Sequence, residues 1–182
     1  MNRYTEISLL CEDLQQEVFV RTFLVKCGIP SRRIRTIPLP KEGCGESHVR
    51  RQYPQEVNAY RQRANKLNLG LVVMIDADTK HANERYIELD RALRERGMQL
   101  RQPKEKIGIF VPRRNIETWI YFLMGREVDE MTEYPHFWHR EGDAKPYIIQ
   151  LAEHRHQPLP EKVPSSLIAA CQELPRIFPE DQ

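Results

Sequence analysis

Short apolar runs alternate along this chain with longer segments whose apolar residues recur every three or four positions. "EISLLCE" is a brief apolar run closed by Glu12, and "LQQEVFVRTFLVKCGI" then sets Val18, Phe19, Phe23 and Leu24 at helical spacing before Gly28. "IRTIPLP" reads as a second strand limited by proline, and "GCGESHVRRQYPQEVNAYRQRANKLN" as a polar helix that opens on glycines and is broken or restarted at Pro54. "LGLVVMI" is almost wholly apolar, as a parallel strand covered on both faces should be. Its helix is "NERYIELDRALRERG", with Tyr86, Ile87, Leu89 and Leu93 facing inward and Gly97 as the stop. "EKIGIFVP" and "NIETWIYFLMG" supply a fourth strand and a fourth helix. This alternation predicts an α/β fold with a mostly parallel, four-stranded sheet flanked by helices.

After Gly125 the pattern weakens. The stretch from Arg126 to Pro164 is polar and turn-rich, and only "SSLIAACQELPRIF" again has a helical period. The expected organisation is an α/β domain over residues 1–125 and a C-terminal helical extension over 126–182, packed on the same domain. A length of 182 residues fits one compact domain.

Composition narrows the class. Apolar residues make up 40% of the chain and charged residues 30%, which is globular rather than disordered. The N-terminus carries Glu6 and Glu12 within its apolar run, unlike a signal peptide, and no stretch approaches the ~20 apolar residues of a membrane helix. Cys11, Cys27, Cys44 and Cys171 lie far apart, which suggests neither a zinc ribbon nor a disulfide framework and fits a reduced, cytoplasmic setting. The net charge of +2 is too mild to indicate nucleic acid, but the arginines cluster in "SRRIR", "HVRR" and "VPRRN".

In an open parallel sheet, residues just beyond the strand ends gather on one edge, where such folds bind ligands. Glu12 ends the first strand. Gly43, Gly45 and Glu46 follow the second, Asp76 and Asp78 the third, and Arg113, Arg114 and Glu117 the fourth. Glu12, Asp76 and Asp78 would repel one another unless a cation sat between them. An all-oxygen acidic set without Cys or His suits Mg2+ or Mn2+ rather than zinc. The plainer alternative is that Asp76 and Asp78 cap the next helix and satisfy turn amides.

Gly43 and Gly45 precede a helix start and could bring backbone N–H groups to a phosphate, although Gly-x-Gly is also common in ordinary turns. Glu46 would join the metal ligands or cap the helix. In "VPRRNIETW", Asn115 is a good N-cap and Glu117 lies in the first helical turn, as a candidate second-metal ligand. Arg113 and Arg114 suit phosphodiester oxygens; the alternative is a surface ion pair with Glu117.

"ISLLCED" followed by a helix, and "LVVMIDADT" two elements later, resembles the Toprim fold of primases, topoisomerases, ribosomal-RNA maturation nucleases and overcoming-lysogenisation-defect nucleases. The resemblance spans about residues 5–125. It implies that Glu12, Asp76 and Asp78 bind magnesium for phosphodiester chemistry on DNA or RNA. Two positions depart from the family: Asp13 follows the glutamate where Gly is frequent, and Thr79, Lys80 and His81 follow the Asp-x-Asp where a Gly is frequent. With no zinc segment, polymerising machinery or strand-passage tyrosine domain in view, a nuclease is the nearest member. The chain also resembles small Toprim proteins found beside an ATPase in bacterial phage defence, which implies an ATPase partner.

Competing classes remain. "DADT" fits the Asp-x-Asp-x-Thr of haloacid-dehalogenase phosphatases, with Asp76 as nucleophile and Asp78 as acid, but that motif belongs on a first strand. Glycosyltransferases use an Asp-x-Asp as well, in longer chains. A Toprim-like module that binds nucleic acid or a partner without catalysis is the third class. His136, His139, His154 and His156 lie in the weakly patterned tail without a supporting cysteine pair and are expected to face solvent or pack on aromatic rings. Trp119, Tyr121 and Phe122 read as helix core. Lys145 in "GDAKPY" is a candidate phosphate ligand.

Overall fold

The computed structural model describes residues 5–40 and 44–178. Four parallel strands, β1 (Glu6–Leu10), β2 (Ile34–Thr36), β3 (Leu69–Met74) and β4 (Ile107–Phe110), form one sheet in the order β2-β1-β3-β4. The helices are α1 (Leu14–Lys26), α2 (Gly45–Ala64), α3 (Ala82–Glu95), α4 (Ile116–Leu123), α5 (Lys145–Glu153) and α6 (Ser165–Ile177). The four strand–helix alternations in the sequence are therefore present.

Side chains of a strand point alternately to opposite faces, and β3 uses both. Val72 and Met74 join Phe19, Phe23, Trp119, Ile148 and Leu167 in the layer built by α1, α4, α5 and α6. Leu71 and Val73 join Val49, Tyr53, Val57, Leu89 and Leu93 in the layer built by α2 and α3. This two-sided burial is why "LGLVVM" has no polar position.

The strand order reverses direction at β1. The chain goes from β1 to β2 through α1 on one face, then back past β1 to β3 and β4 through α2 and α3 on the other face. Loops leaving the C-terminal ends of β1 and β3 consequently diverge, and the sheet has its crevice there.

Several local expectations are corrected. Pro54 neither breaks nor restarts α2, which runs as one helix through it; burial of Tyr53, Pro54 and Val57 against the sheet outweighs the lost backbone hydrogen bond. Ile87 is exposed, and the inward stripe of α3 is instead Arg85, Leu89 and Leu93, spaced by four. The tail holds a further helix, α5, besides the expected α6. Gly28 and Gly97 end α1 and α3 with positive φ of 100° and 66°, the left-handed turn that closes a helix.

The tail packs on the sheet. Ile148 and Ala152 of α5 and Leu167, Ala170 and Ile177 of α6 belong to the same apolar cluster as Ile7, Leu9 and Phe110. On the edge strand β4, the Ile109 N–H donates to Glu173 Oε2 of α6 at 3.0 Å, so the exposed strand edge is partly paired. Among the described residues no helix is long and apolar enough to cross a membrane.

Candidate functional site

Glu12 and Asp76 meet at the crevice. The Asp76 N–H, just beyond β3, donates to Glu12 Oε1 at 2.7 Å. Glu12's own N–H is held by Gln16 Oε1 at 3.0 Å, one turn into α1. Asp13 is the N-cap of α1, accepting from the Gln16 N–H at 2.8 Å. The loop after β1 is thus fixed from both ends, and Glu12 is turned across to β3.

Gly45, the first residue of α2, lies against this loop so closely that a Cβ there would come within 2.7 Å of both Glu12 Cβ and the Glu12 carbonyl oxygen. This close approach by itself requires glycine at position 45. Gly43 lies outside the described residues.

Asp76 is buried, and its Oδ1 has no hydrogen-bond partner among the described residues. A buried, unpaired carboxylate oxygen is costly. Burial, then the neighbouring Glu12, push the Asp76 carboxyl well above the ordinary range. The Glu12 carboxyl is raised to about 8, chiefly by burial; Asp78 and Asp13 push the same way, while the Asp76 N–H pulls back. Asp13 is raised too, again chiefly by burial.

Glu117, in the first turn of α4, is 0% exposed. One oxygen, Oε1, lies 2.9 Å from His136 Nδ1, and the other, Oε2, has no partner among the described residues. Burial raises its carboxyl, and His136 offsets part of that. Glu117 therefore does not pair with Arg113 or Arg114. His136 was expected to face solvent or pack on an aromatic ring; it does lie against Trp138, with ring centroids 4.6 Å apart, and in addition meets Glu117. A carboxylate on the apolar side of "NIETWI" demands a partner, and that demand was the signal pointing to His136 or a residue like it.

Asp78 takes a different position. Its side chain accepts from Arg85 Nη2 at 2.6 Å. Arg85 is 1% exposed, gives its Nε–H to the Asp76 carbonyl at 2.8 Å, and uses Nη1 on Glu46 and on Glu88, the latter at 2.8 Å. Burial pulls the Arg85 pKa down, but Glu88 and Glu46 more than offset it. Neither aspartate caps α3, whose N-cap is His81, so the capping alternative does not hold for this helix. Arg85 was not foreseen from the sequence; its one local signal was a spacing of four from Leu89 and eight from Leu93, on a helix beginning beside the two aspartates.

Asp78 and Arg114 form an isolated antiparallel bridge, with the Asp78 N–H donating to the Arg114 carbonyl at 3.0 Å. Both have left-handed backbones, φ 54° and 69°. That conformation is uncommon for a residue with a Cβ, and it recurs where a loop is held in one shape for function. The Arg114 side chain is ion-paired with Glu133, whereas Arg113 touches His81 Nδ1 at 3.3 Å and Met131 Sδ at 3.2 Å and has no carboxylate partner among the described residues. Asn115 occupies the N-cap position of α4 but spends its amide on the Tyr134 carbonyl at 3.0 Å. Lys145 is exposed at the start of α5 and pairs with no acid among the described residues.

The rim thus has two halves. Asp78, Glu46 and Glu88 are neutralised by Arg85, with Lys80 and Arg50 beside them. Asp13 and Glu117 face His136, Glu12 feels Arg85 only weakly against its burial and its acidic neighbours, and burial and neighbouring acids raise all of Glu12, Asp13, Asp76 and Glu117. Among the described residues no group of three or more His, Cys, Asp or Glu side chains is arranged to hold a metal ion. Glu12 and Asp76 offer the all-oxygen donors a hard cation takes, and the orphaned Asp76 Oδ1 fits one; Asp78 would have to leave Arg85 to join them. No protein-family model, curated protein or solved structure matches the chain.

Proposed function

We propose that the chain is a Mg2+- or Mn2+-dependent phosphodiester hydrolase acting on DNA or RNA, built on a Toprim-like sheet. One observation carries this: a buried Asp76 Oδ1 without a partner, beside a Glu12 carboxyl raised to about 8, at the crevice where the sheet reverses its order. Natural folds rarely tolerate such a pair unless something positive completes it. Glu12 and Asp76 would hold the cation, with Asp78 or Glu117 as the next ligand. When bound, a divalent cation there would lower the pKa of an attacking water and neutralise charge growing on the phosphoryl group.

Glu12 serves either as a ligand or as the base that takes the proton of the attacking water; its raised pKa suits the second role. Arg113, which has no carboxylate partner among the described residues, would orient a phosphate oxygen. His136 holds Glu117 by one oxygen and so fixes where the other points.

Calorimetric titration with Mn2+ tests the reading, paired with cleavage of labelled polynucleotides. The expected result is binding in wild type, strong weakening in Asp76→Asn, and cutting that stops in EDTA and in Asp78→Asn. Absence of both metal binding and cutting overturns it. A second reading, a Toprim-like module that binds nucleic acid or a partner protein without catalysis, is favoured by the Asp78–Arg85 ion pair, which spends the third expected ligand on the protein itself. Polynucleotide retention without metal binding would select that module.

A further inference from the structure

Of the three arginine clusters in the sequence, "VPRRN" is partly spent on Glu133, and in "SRRIR" Arg33 is paired with Glu6 and Arg35 with Glu56 at 2.9 Å. "HVRR" differs in facing further arginines across a groove. Arg50 and Arg51, in the first turns of α2, face Arg91 and Arg96 of α3 across a groove of about 410 Å³. Glu88 and Glu95 also line it, but Glu88 is already held by Arg85 at 2.8 Å and by Lys80. Arg50 lies 3.1 Å from Glu46, whereas Arg51, Arg91 and Arg96 have no carboxylate partner among the described residues. Glu95 is therefore the one uncommitted acid among four guanidinium groups.

The groove begins at the rim. α2 starts at Gly45 against Glu12, α3 starts just past Asp78, and both helices run from that edge along the same face of the sheet. Arg85, Glu46 and Glu88 join groove to site, since Arg85 bonds both acids. From Ala82 to Arg96 the helix rises ~20 Å at about 1.5 Å per residue. Between the arginines the lining is Ser47, Pro54 and Ala92, small groups with no apolar pocket for a peptide side chain or a base.

We infer that the α2–α3 groove is a track for the phosphodiester backbone, which leads a polynucleotide to the Glu12–Asp76 rim. This rests on the phosphodiesterase reading above for its destination, but the binding itself does not need the metal. Planar guanidinium groups pair two N–H donors with phosphate oxygens, and repeated contacts of this kind position a strand without reading its sequence. Each phosphate neutralised releases counterions, so binding weakens with salt at a slope of about 0.9 per contact on duplex DNA and about 0.7 on single strands.

The test is fluorescence anisotropy of labelled oligonucleotides in EDTA across a salt series, with single- and double-stranded DNA and RNA as separate arms and poly-glutamate as competitor. In the triple variant Arg51→Gln, Arg91→Gln, Arg96→Gln, the slope of log K against log salt should fall by about 2 to 3, with a loss of at least about tenfold in affinity at low salt. A charge-matched variant on other surfaces, Lys104→Gln, Arg126→Gln, Arg155→Gln, should lose far less. Glu95→Lys should steepen the slope by about one contact. Equal losses in the two triple variants, no effect of Glu95→Lys, or displacement by poly-glutamate as readily as by oligonucleotide overturns the track. Mn2+ titration of the same proteins separates the two ideas. Wild type that binds metal and cuts, with a salt slope indifferent to the groove, sinks the track alone; groove-dependent binding with no metal uptake sinks the hydrolase alone and upholds the track.

Discussion

Glu12→Gln should make the metal-free protein more stable while abolishing its metal site. The Glu12 carboxyl is raised from the ordinary 4.5 to about 8, chiefly by burial, so the folded state holds a proton that the unfolded chain gives up. A group of this kind contributes its full stability below pH ~4.5 and loses it as pH rises through about 8. At about 1.4 kcal/mol per pK unit, the raised value corresponds to at most roughly 5 kcal/mol at alkaline pH, and relaxation around adjacent carboxylates brings this to about 2 kcal/mol. Glutamine never ionises, and its Oε1 can still accept the Asp76 N–H. Urea unfolding in EDTA should therefore give equal stabilities for the two proteins near pH 4.5 and a gap of ~2 kcal/mol in favour of Glu12→Gln near pH 8. Mn2+ at about 100 times its Kd should restore roughly 2.7 kcal/mol to wild type and nothing to the variant. A gap that does not change with pH, or a variant less stable than wild type at pH 8, would refute the reasoning.

Three other substitutions probe the supports of the site. Arg85→Met strands Glu46, Glu88 and Asp78 around a vacated buried position and should cost about 3 kcal/mol in urea unfolding; a cost below ~1 kcal/mol would mean that solvent already screens these pairs. Gly45→Ala drives a Cβ onto the Glu12 backbone and should cost ~1–3 kcal/mol, a fall of several degrees in Tm, with Mn2+ affinity lowered as well. His136→Ala leaves both oxygens of the buried Glu117 unpaired and should cost about 2 kcal/mol; in a double-mutant cycle with Glu117→Gln the coupling should exceed ~1 kcal/mol, and additivity would mean that the contact carries no energy.

What was legible in the sequence follows from period and position. The strands were visible because β3 is buried on both faces and so is continuously apolar, and the helices because their stripes recur at 3.6. Glu12 and Asp76 were placed at one edge by topology alone, since every parallel strand ends there. Ile87 was misplaced because a helix of mixed charge and apolar residues admits two stripes, and the one beginning at Arg85 is fixed by acids from α2 and the β3 loop, distant in sequence. Helix α5 is short, and Lys145, Gln150 and Glu153 interrupt its apolar period, so nothing local marked it. His136 lies in a segment without any period, and only the buried charge of Glu117 specifies it.

Arg85 decides how the rim's acids are distributed. It is a permanent cation bonded to Asp78, Glu46 and Glu88, and its Nε–H also fixes the carbonyl of Asp76, the residue whose side-chain oxygen is orphaned. A guanidinium placed there neutralises one half of the rim while holding the backbone of the other half in position. The acids whose carboxylates it does not bond, Glu12, Asp13, Asp76 and Glu117, are those whose carboxyl groups are raised; Arg85 offsets only a little of this at Glu12, and His136 offsets part of it at Asp13 and Glu117. Packing alone would have removed that imbalance at little cost, since a glutamine at either Glu12 or Glu117 keeps the shape and drops the charge. Keeping four buried or half-buried acids that no guanidinium bonds directly makes sense where a further positive charge arrives with a ligand. The two chemistries on offer are a divalent cation at Asp76 and, along the neighbouring α2–α3 groove, a polyanion drawn in by arginines of which Arg51, Arg91 and Arg96 lack acid partners among the described residues.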